Sequence, residues 1–177
     1  MKGVCMLAAV VVMLPLSPRT QDATAKSPFA PIQFFAGRWQ GTTHGEPGDG
    51  RGERNYGFVL RGKFLRVTNR TVYPAQEKNP KGEVHEDVGY FSYDRARKRL
   101  VLRQFHVEGF VNEYVQKGGD DNALVFETQV IENIPEGWKA RESYKVVSPD
   151  EFVEVFELAE PHKEFAVYSQ SRWKRVK

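Results

Sequence analysis

The chain has 177 residues, 26 of them Lys or Arg and 23 Asp or Glu. Its only cysteine, Cys5, and all three methionines lie in the first 13 residues, so the rest holds no disulfide framework, zinc–thiolate centre or cysteine nucleophile. Residues 26–177 carry 24 basic and 22 acidic side chains, a balance without the concentrated basic stripe of a nucleic-acid groove.

In chain order, the first element reads as a leader. Met1-Lys2 gives a positive start, residues 4–16 an apolar run of 13, and Ala23-Thr24-Ala25 a small-x-small cleavage site. This is the pattern of a secretory signal peptide over residues 1–25, and the run falls short of the roughly 20 apolar residues that a membrane-spanning helix needs. The expectation is export, with residues 26–177 acting in a periplasm or outside the cell, and no membrane span in the mature chain. An exported chain without cysteine suits a bacterial envelope. Asn69-Arg70-Thr71 is a formal glycosylation acceptor should the host be eukaryotic.

Residues 30–36 (APIQFFA) are apolar and begin beside a proline, which predicts one helical turn. Ten β-rich runs follow, at 37–43, 53–60, 64–73, 84–93, 99–107, 110–117, 123–132, 138–147, 152–158 and 165–176. They are separated by Gly, Pro, Asn and Asp, the residues of tight reversals. Neighbours joined by such short connections pair with one another, which predicts an antiparallel meander. Ten twisted strands left open would expose two edges, so the expected fold is all-β: a single antiparallel up-and-down β-barrel of about ten strands, its end plugged by the short N-terminal helix. Such a barrel is wider than the eight-strand case that side chains just fill, so a cavity is expected. The Gly-rich stretch 45–52 joins two strands and reads as a flexible portal loop. Both faces of the later strands are partly apolar. Residues 165, 167, 169, 171 and 173 share one face, but alternation alone leaves open which face is the lumen.

No P-loop, nucleophile elbow or dinucleotide fingerprint occurs. The four histidines are His44, His85, His106 and His162. None of them pairs at H-x-H or H-x-x-x-H spacing, so spacing offers no zinc or copper site. His106, next to a hairpin, reads as structural.

Gly37-Arg38-Trp39-Gln40-Gly41 has the form G-x-W-x-G at the head of the meander. This placement resembles the calycin superfamily of lipocalins and fatty-acid-binding proteins, where a basic residue of the last strand packs over the tryptophan; Arg172 and Arg175 are the candidates here. With residues 84–91 (VHEDVGYF) and 106–114 (HVEGFVNEY), the chain is also similar to nitrobindin and the heme-binding barrel found fused to THAP-type zinc fingers. That resemblance implies a ferric heme b whose proximal ligand is a last-strand histidine, with His85 on the distal side. It implies nitric oxide binding or conversion of peroxynitrite to nitrate. Residues 165–176 contain no histidine, and Ser169 stands about where the ligand would be; His162 is then the nearest imidazole, with Tyr168 and Lys174 as other axial options.

The reading that best fits these residues is an exported binding barrel holding an apolar or amphipathic small molecule, lipid-like or fatty-acid-like. Trp39, His85 and Tyr90 are expected at the ligand, with a carboxylate head received by Arg103, Arg141 or Arg172 or by the hydroxyls of Tyr114 and Tyr144. Heme b binding and a structural role in the envelope are the alternatives.

Overall fold

Runs of β-branched and aromatic residues end at turn-forming residues, and at each of these the chain reverses. The computed structural model describes residues 27–120 and 123–177, so the leader expected over residues 1–25 lies outside the described residues. The strands are β1 (Gly37–Gly45), β2 (Gly50–Val59), β3 (Phe64–Tyr73), β4 (Glu83–Asp94), β5 (Arg99–His106), β6 (Val111–Asp120), β7 (Ala123–Glu132), β8 (Lys139–Ser148), β9 (Glu151–Ala159) and β10 (Ala166–Arg175). Each pairs antiparallel with its sequence neighbours, and β10 closes on β1, with Gly41 opposite Trp173. Closure removes both sheet edges, as expected for ten meandering strands. Among the described residues no helix is long and apolar enough to cross a membrane.

A 3₁₀ helix at Ala30–Phe35, with proline in its first turn, enters one end of the barrel. Ile32 and Phe35 are fully buried there, packed with Trp39, Tyr56, Tyr144 and Phe152. Such side chains contribute roughly 1.5–3 kcal/mol each on burial, so the plug adds substantially to the stability of the barrel. Trp39 donates from Nε1 to the Phe35 carbonyl at 2.7 Å, fixing the plug to β1. Of the two arginines considered for the tryptophan, Arg175 covers it, with its guanidinium 4.2 Å from the ring centroid. The same guanidinium donates to the carbonyls of Ala36 and Phe34 at 2.7 and 2.8 Å, tying the last strand to the plug.

Half of the Gly-rich stretch 45–52 is strand and half is the loop joining two strands: β1 runs to Gly45, β2 starts at Gly50, and residues 46–49 connect them. A Cβ on Gly41 or Gly52 would lie 2.6 Å from the Trp173 ring, and one on Gly50 would lie 2.8 Å from Tyr73. Glycine occurs there because lumen aromatics take the space of its side chain, rather than to make a loop flexible. A bulge between Val167 and Ser169 also breaks the alternation expected for β10. Val167 turns out to solvent at 60% exposure, while Ser169, Ser171 and Trp173 face inward.

Candidate functional site

The aromatic core fills only the plugged half. Toward the other end the lumen opens into a cavity of about 590 Å³. Its mouth carries Phe110, Ile131, Ile134, Trp138, Phe156 and Leu158, with the carboxylates of Glu83 and Glu108 on its β4–β5 side. Its floor is polar and is built by inward positions of consecutive strands. A shallower concavity of about 640 Å³ lies along exposed side chains of the outer face, including Gln40, Glu53, Arg70 and Glu86. The candidate site is assigned to the lumen cavity because, among the described residues, each buried side-chain atom without a hydrogen-bond partner belongs to a residue that lines it.

Arg54 of β2 anchors the floor. Its guanidinium meets both oxygens of Glu154, at 2.9 and 2.8 Å, donates from Nε to Asn69 at 3.0 Å and lies 4.2 Å from the Trp173 ring centroid. Burial opposes its charge, but the Glu154 carboxylate together with Tyr56 and Tyr144 outweighs this and raises its pKa further. Glu154 also accepts from Trp173 Nε1 at 3.0 Å. Beside it, Glu142 accepts from the Tyr144 hydroxyl. Burial, reinforced by the charge of Glu154, pushes Glu142 up to about 8.

The wall formed by β4 and β5 carries the imidazoles. Period-two alternation puts His85 and Asp87 on one face of β4, and register places Asp87 opposite His106 of β5. His85 Nε2 lies 3.6 Å from Asp87 Oδ2 and 3.5 Å from His106 Nδ1. The other nitrogen, Nδ1, is 2.9 Å from Glu108 Oε1, and a carboxylate only accepts, so Nδ1 carries a proton. Burial works against a charge on His85, yet hydrogen bonds to Asp87 and Glu108 prevail and raise it to about 9. Burial drives His106 down to about 4; Asp87 pulls it up, and the neighbouring His85 charge pushes it down. Asp87 is held below the usual carboxylate range, because its bond to His85 and the charge of Arg54 outweigh its burial. Asn69 Nδ2 donates to Asp87 Oδ2 at 2.8 Å, which links this wall to Arg54. Asn69 is thus buried inside the barrel, where a glycan cannot be attached to the folded protein.

Among the described residues, three buried side-chain oxygens lack a hydrogen-bond partner: Asp87 Oδ1, Gln104 Oε1 and Asn112 Oδ1. All three residues line the cavity, and Gln104 lies opposite Asn112 across the β5–β6 pair. A buried acceptor without a partner costs about 1–3 kcal/mol, so three on one wall mark a place built for a donor or a cation.

Of the residues expected from sequence, His85 lines the cavity. Trp39 is buried beneath the plug, and Tyr114 and Tyr144 are buried with their hydroxyls engaged by Asn112 and Glu142. The three arginines expected to receive a carboxylate face outward instead. Arg103 pairs with Glu113 at 2.6 Å, Arg141 with Glu127 at 2.9 Å, and Arg172 with Glu151. Each alternates with inward neighbours: Leu102 and Gln104, Ala140 and Glu142, Ser171 and Trp173. Tyr90 shares this outer face, opposite Arg103. Sequence reasoning missed Arg54, Asn69, Asp87, Gln104, Asn112, Glu142 and Glu154, and read His106 as structural. The available signal was parity, since Asp87 stands two residues beyond His85, on the same face.

No family model matches the chain, and no curated protein matches it. Among solved structures, the chain is similar to Rv2717c from M. tuberculosis, with a TM-score of 0.65 and 17% identity over 87% of this chain and 100% of that one. It is also similar to the S-type phycobiliprotein lyase CPES from Guillardia theta, with a TM-score of 0.51 and 14% identity over 82% and 90% of the two chains. Both likenesses show a shared barrel fold.

Among the described residues, no last-strand histidine stands across the lumen from His85 as the sequence resemblance implies for heme. The cavity side of β10 presents Tyr168, Ser169, Ser171 and Trp173, and His162 is exposed in the β9–β10 turn, outside the cavity lining. His85 and His106 stand side by side on one wall, with ring centroids 5.5 Å apart.

Proposed function

We propose that this protein is a binding barrel whose lumen takes an amphipathic small molecule, its apolar part against the mouth and its polar end on the floor. The observation that carries this reading is the cavity of about 590 Å³, within the usual range for small-molecule sites, with an apolar cluster on one side of its mouth over a polar floor. The outward arginines leave a fatty-acid carboxylate without the cations expected to receive it. The polar end is therefore read by the Asp87, Gln104 and Asn112 wall. The signal-peptide pattern of residues 1–25 supports an activity outside the cytoplasm.

The test uses an uncharged fluorescent naphthyl probe, with a chelator present throughout. We expect one probe per chain, displaced by long-chain alcohols. Ser169→Trp, which fills the cavity, should weaken probe binding at least about 10-fold, equal to 1.4 kcal/mol. Val147→Trp, at an exposed outer position, should leave it unchanged. Absence of probe binding, or binding insensitive to Ser169→Trp, overturns the reading.

A further inference from the structure

We propose that His85, Asp87 and His106 form a site for one divalent first-row transition metal, of the zinc or ferrous iron type, on the wall of the cavity. The three side chains each offer a ligand atom within 4.8 Å of the others. Bonds of about 2.1 Å at tetrahedral angles separate neighbouring ligand atoms by roughly 3.4 Å. The observed 3.5 Å from His85 Nε2 to His106 Nδ1 and 3.6 Å to Asp87 Oδ2 are close to that spacing before any metal draws the ligands together.

Two further features are those of a metal centre rather than a plain ion pair. His85 is oriented by a carboxylate behind it: Nδ1 is bonded to Glu108, which turns Nε2 toward Asp87 and His106. Metal-binding imidazoles are commonly held in this way, with the tautomer fixed by the outer partner. Asp87 is likewise held by Asn69, which is itself held by Arg54. Second, the surroundings contain more acceptor than the protein's own donors use. Asp87, Gln104 and Asn112 are 7, 6 and 2% exposed, and each keeps an oxygen without a partner on the same cavity wall. A pair of structural histidines explains neither the excess of acceptors nor their sharing one wall.

Two imidazole nitrogens and one carboxylate favour zinc, iron, cobalt or nickel over magnesium and calcium, which prefer all-oxygen sites. Three protein ligands leave coordination positions directed into the cavity, the open form of site that can also take water or the polar end of a bound molecule. The metal site does not depend on the cavity accepting an organic ligand.

The test is titration of the chelator-stripped full chain with Co²⁺, followed by its visible d–d absorption, then competition with Zn²⁺. We expect one Co²⁺ per chain, released by one equivalent of Zn²⁺. His85→Ala and His106→Gln should each weaken Co²⁺ binding at least about 100-fold, and Glu108→Gln about 10–100-fold through loss of the outer partner. His44→Ala and His162→Ala, which alter exposed imidazoles away from the cavity, should bind as the parent does. Zn²⁺ should raise the Tm of the parent and leave that of His106→Gln unchanged, a comparison that holds even if His85→Ala folds poorly. Absence of stoichiometric Co²⁺ binding overturns the proposal. So does binding that survives His106→Gln or is abolished by His44→Ala.

Discussion

Arg54 lies at 11% side-chain exposure against Glu154 at 6%, so each depends on the other for its charge to be tolerated. Removing one member of such a buried pair leaves an uncompensated ion, at a cost of about 3–5 kcal/mol. Arg54→Met and Glu154→Gln are expected to lower unfolding free energy by that amount in urea denaturation, far more than Arg103→Ala on the outer face. Glu142 gives a pH dependence of known sign. Its folded pKa of about 8 lies above the ordinary 4.5, so between those values the folded state holds more protons than the unfolded one. Its contribution is full below about 4.5 and is lost as pH rises toward 8. Glu142→Gln should flatten the fall in stability over that window, as read from urea midpoints across pH.

The first and last strands meet over a bed of glycines. Gly41 of β1 lies opposite both Gly52 of β2 and Trp173 of β10, and the indole occupies the space their side chains would take. Ala at either position adds a methyl group to a filled interior, which typically costs about 1–3 kcal/mol. We expect Gly41→Ala and Gly52→Ala to lower stability in that range, with an altered Trp173 environment in near-UV circular dichroism. Gly57, whose Cβ would meet nothing within 4 Å, is the control.

The molecule divides into a plugged aromatic half and an open polar half. Phe29, Ile32 and Phe35 of the N-terminal segment are all buried in the first half, and removing them forfeits roughly 5 kcal/mol or more, comparable to the whole stability of a small domain. Deleting residues 27–36 should therefore abolish cooperative thermal unfolding, whereas Trp138→Ala at the open mouth should leave Tm within a few degrees of the parent.

Ten strands, their order and their closure were legible in the sequence because turn residues punctuate each reversal and an open ten-strand sheet would keep two unpaired edges. The plug was legible from residues 30–36 in the same way. The lumen face was not, because Arg103, Arg141 and Arg172 sit on strands apolar on both sides, and only closure decides which parity points inward. The bulge at Val167 and Ser169 shifts that parity within one strand without a mark in the alternation. The grouping of His85 with His106 was hidden for a related reason. Twenty-one residues separate them, and it is the β4–β5 register that brings the two imidazoles within 3.5 Å. Local propensity and turn chemistry act over a few residues and are written in the chain. Which side chains share the interior is decided by closure and pairing over the whole barrel, so the site exists only in the tertiary structure.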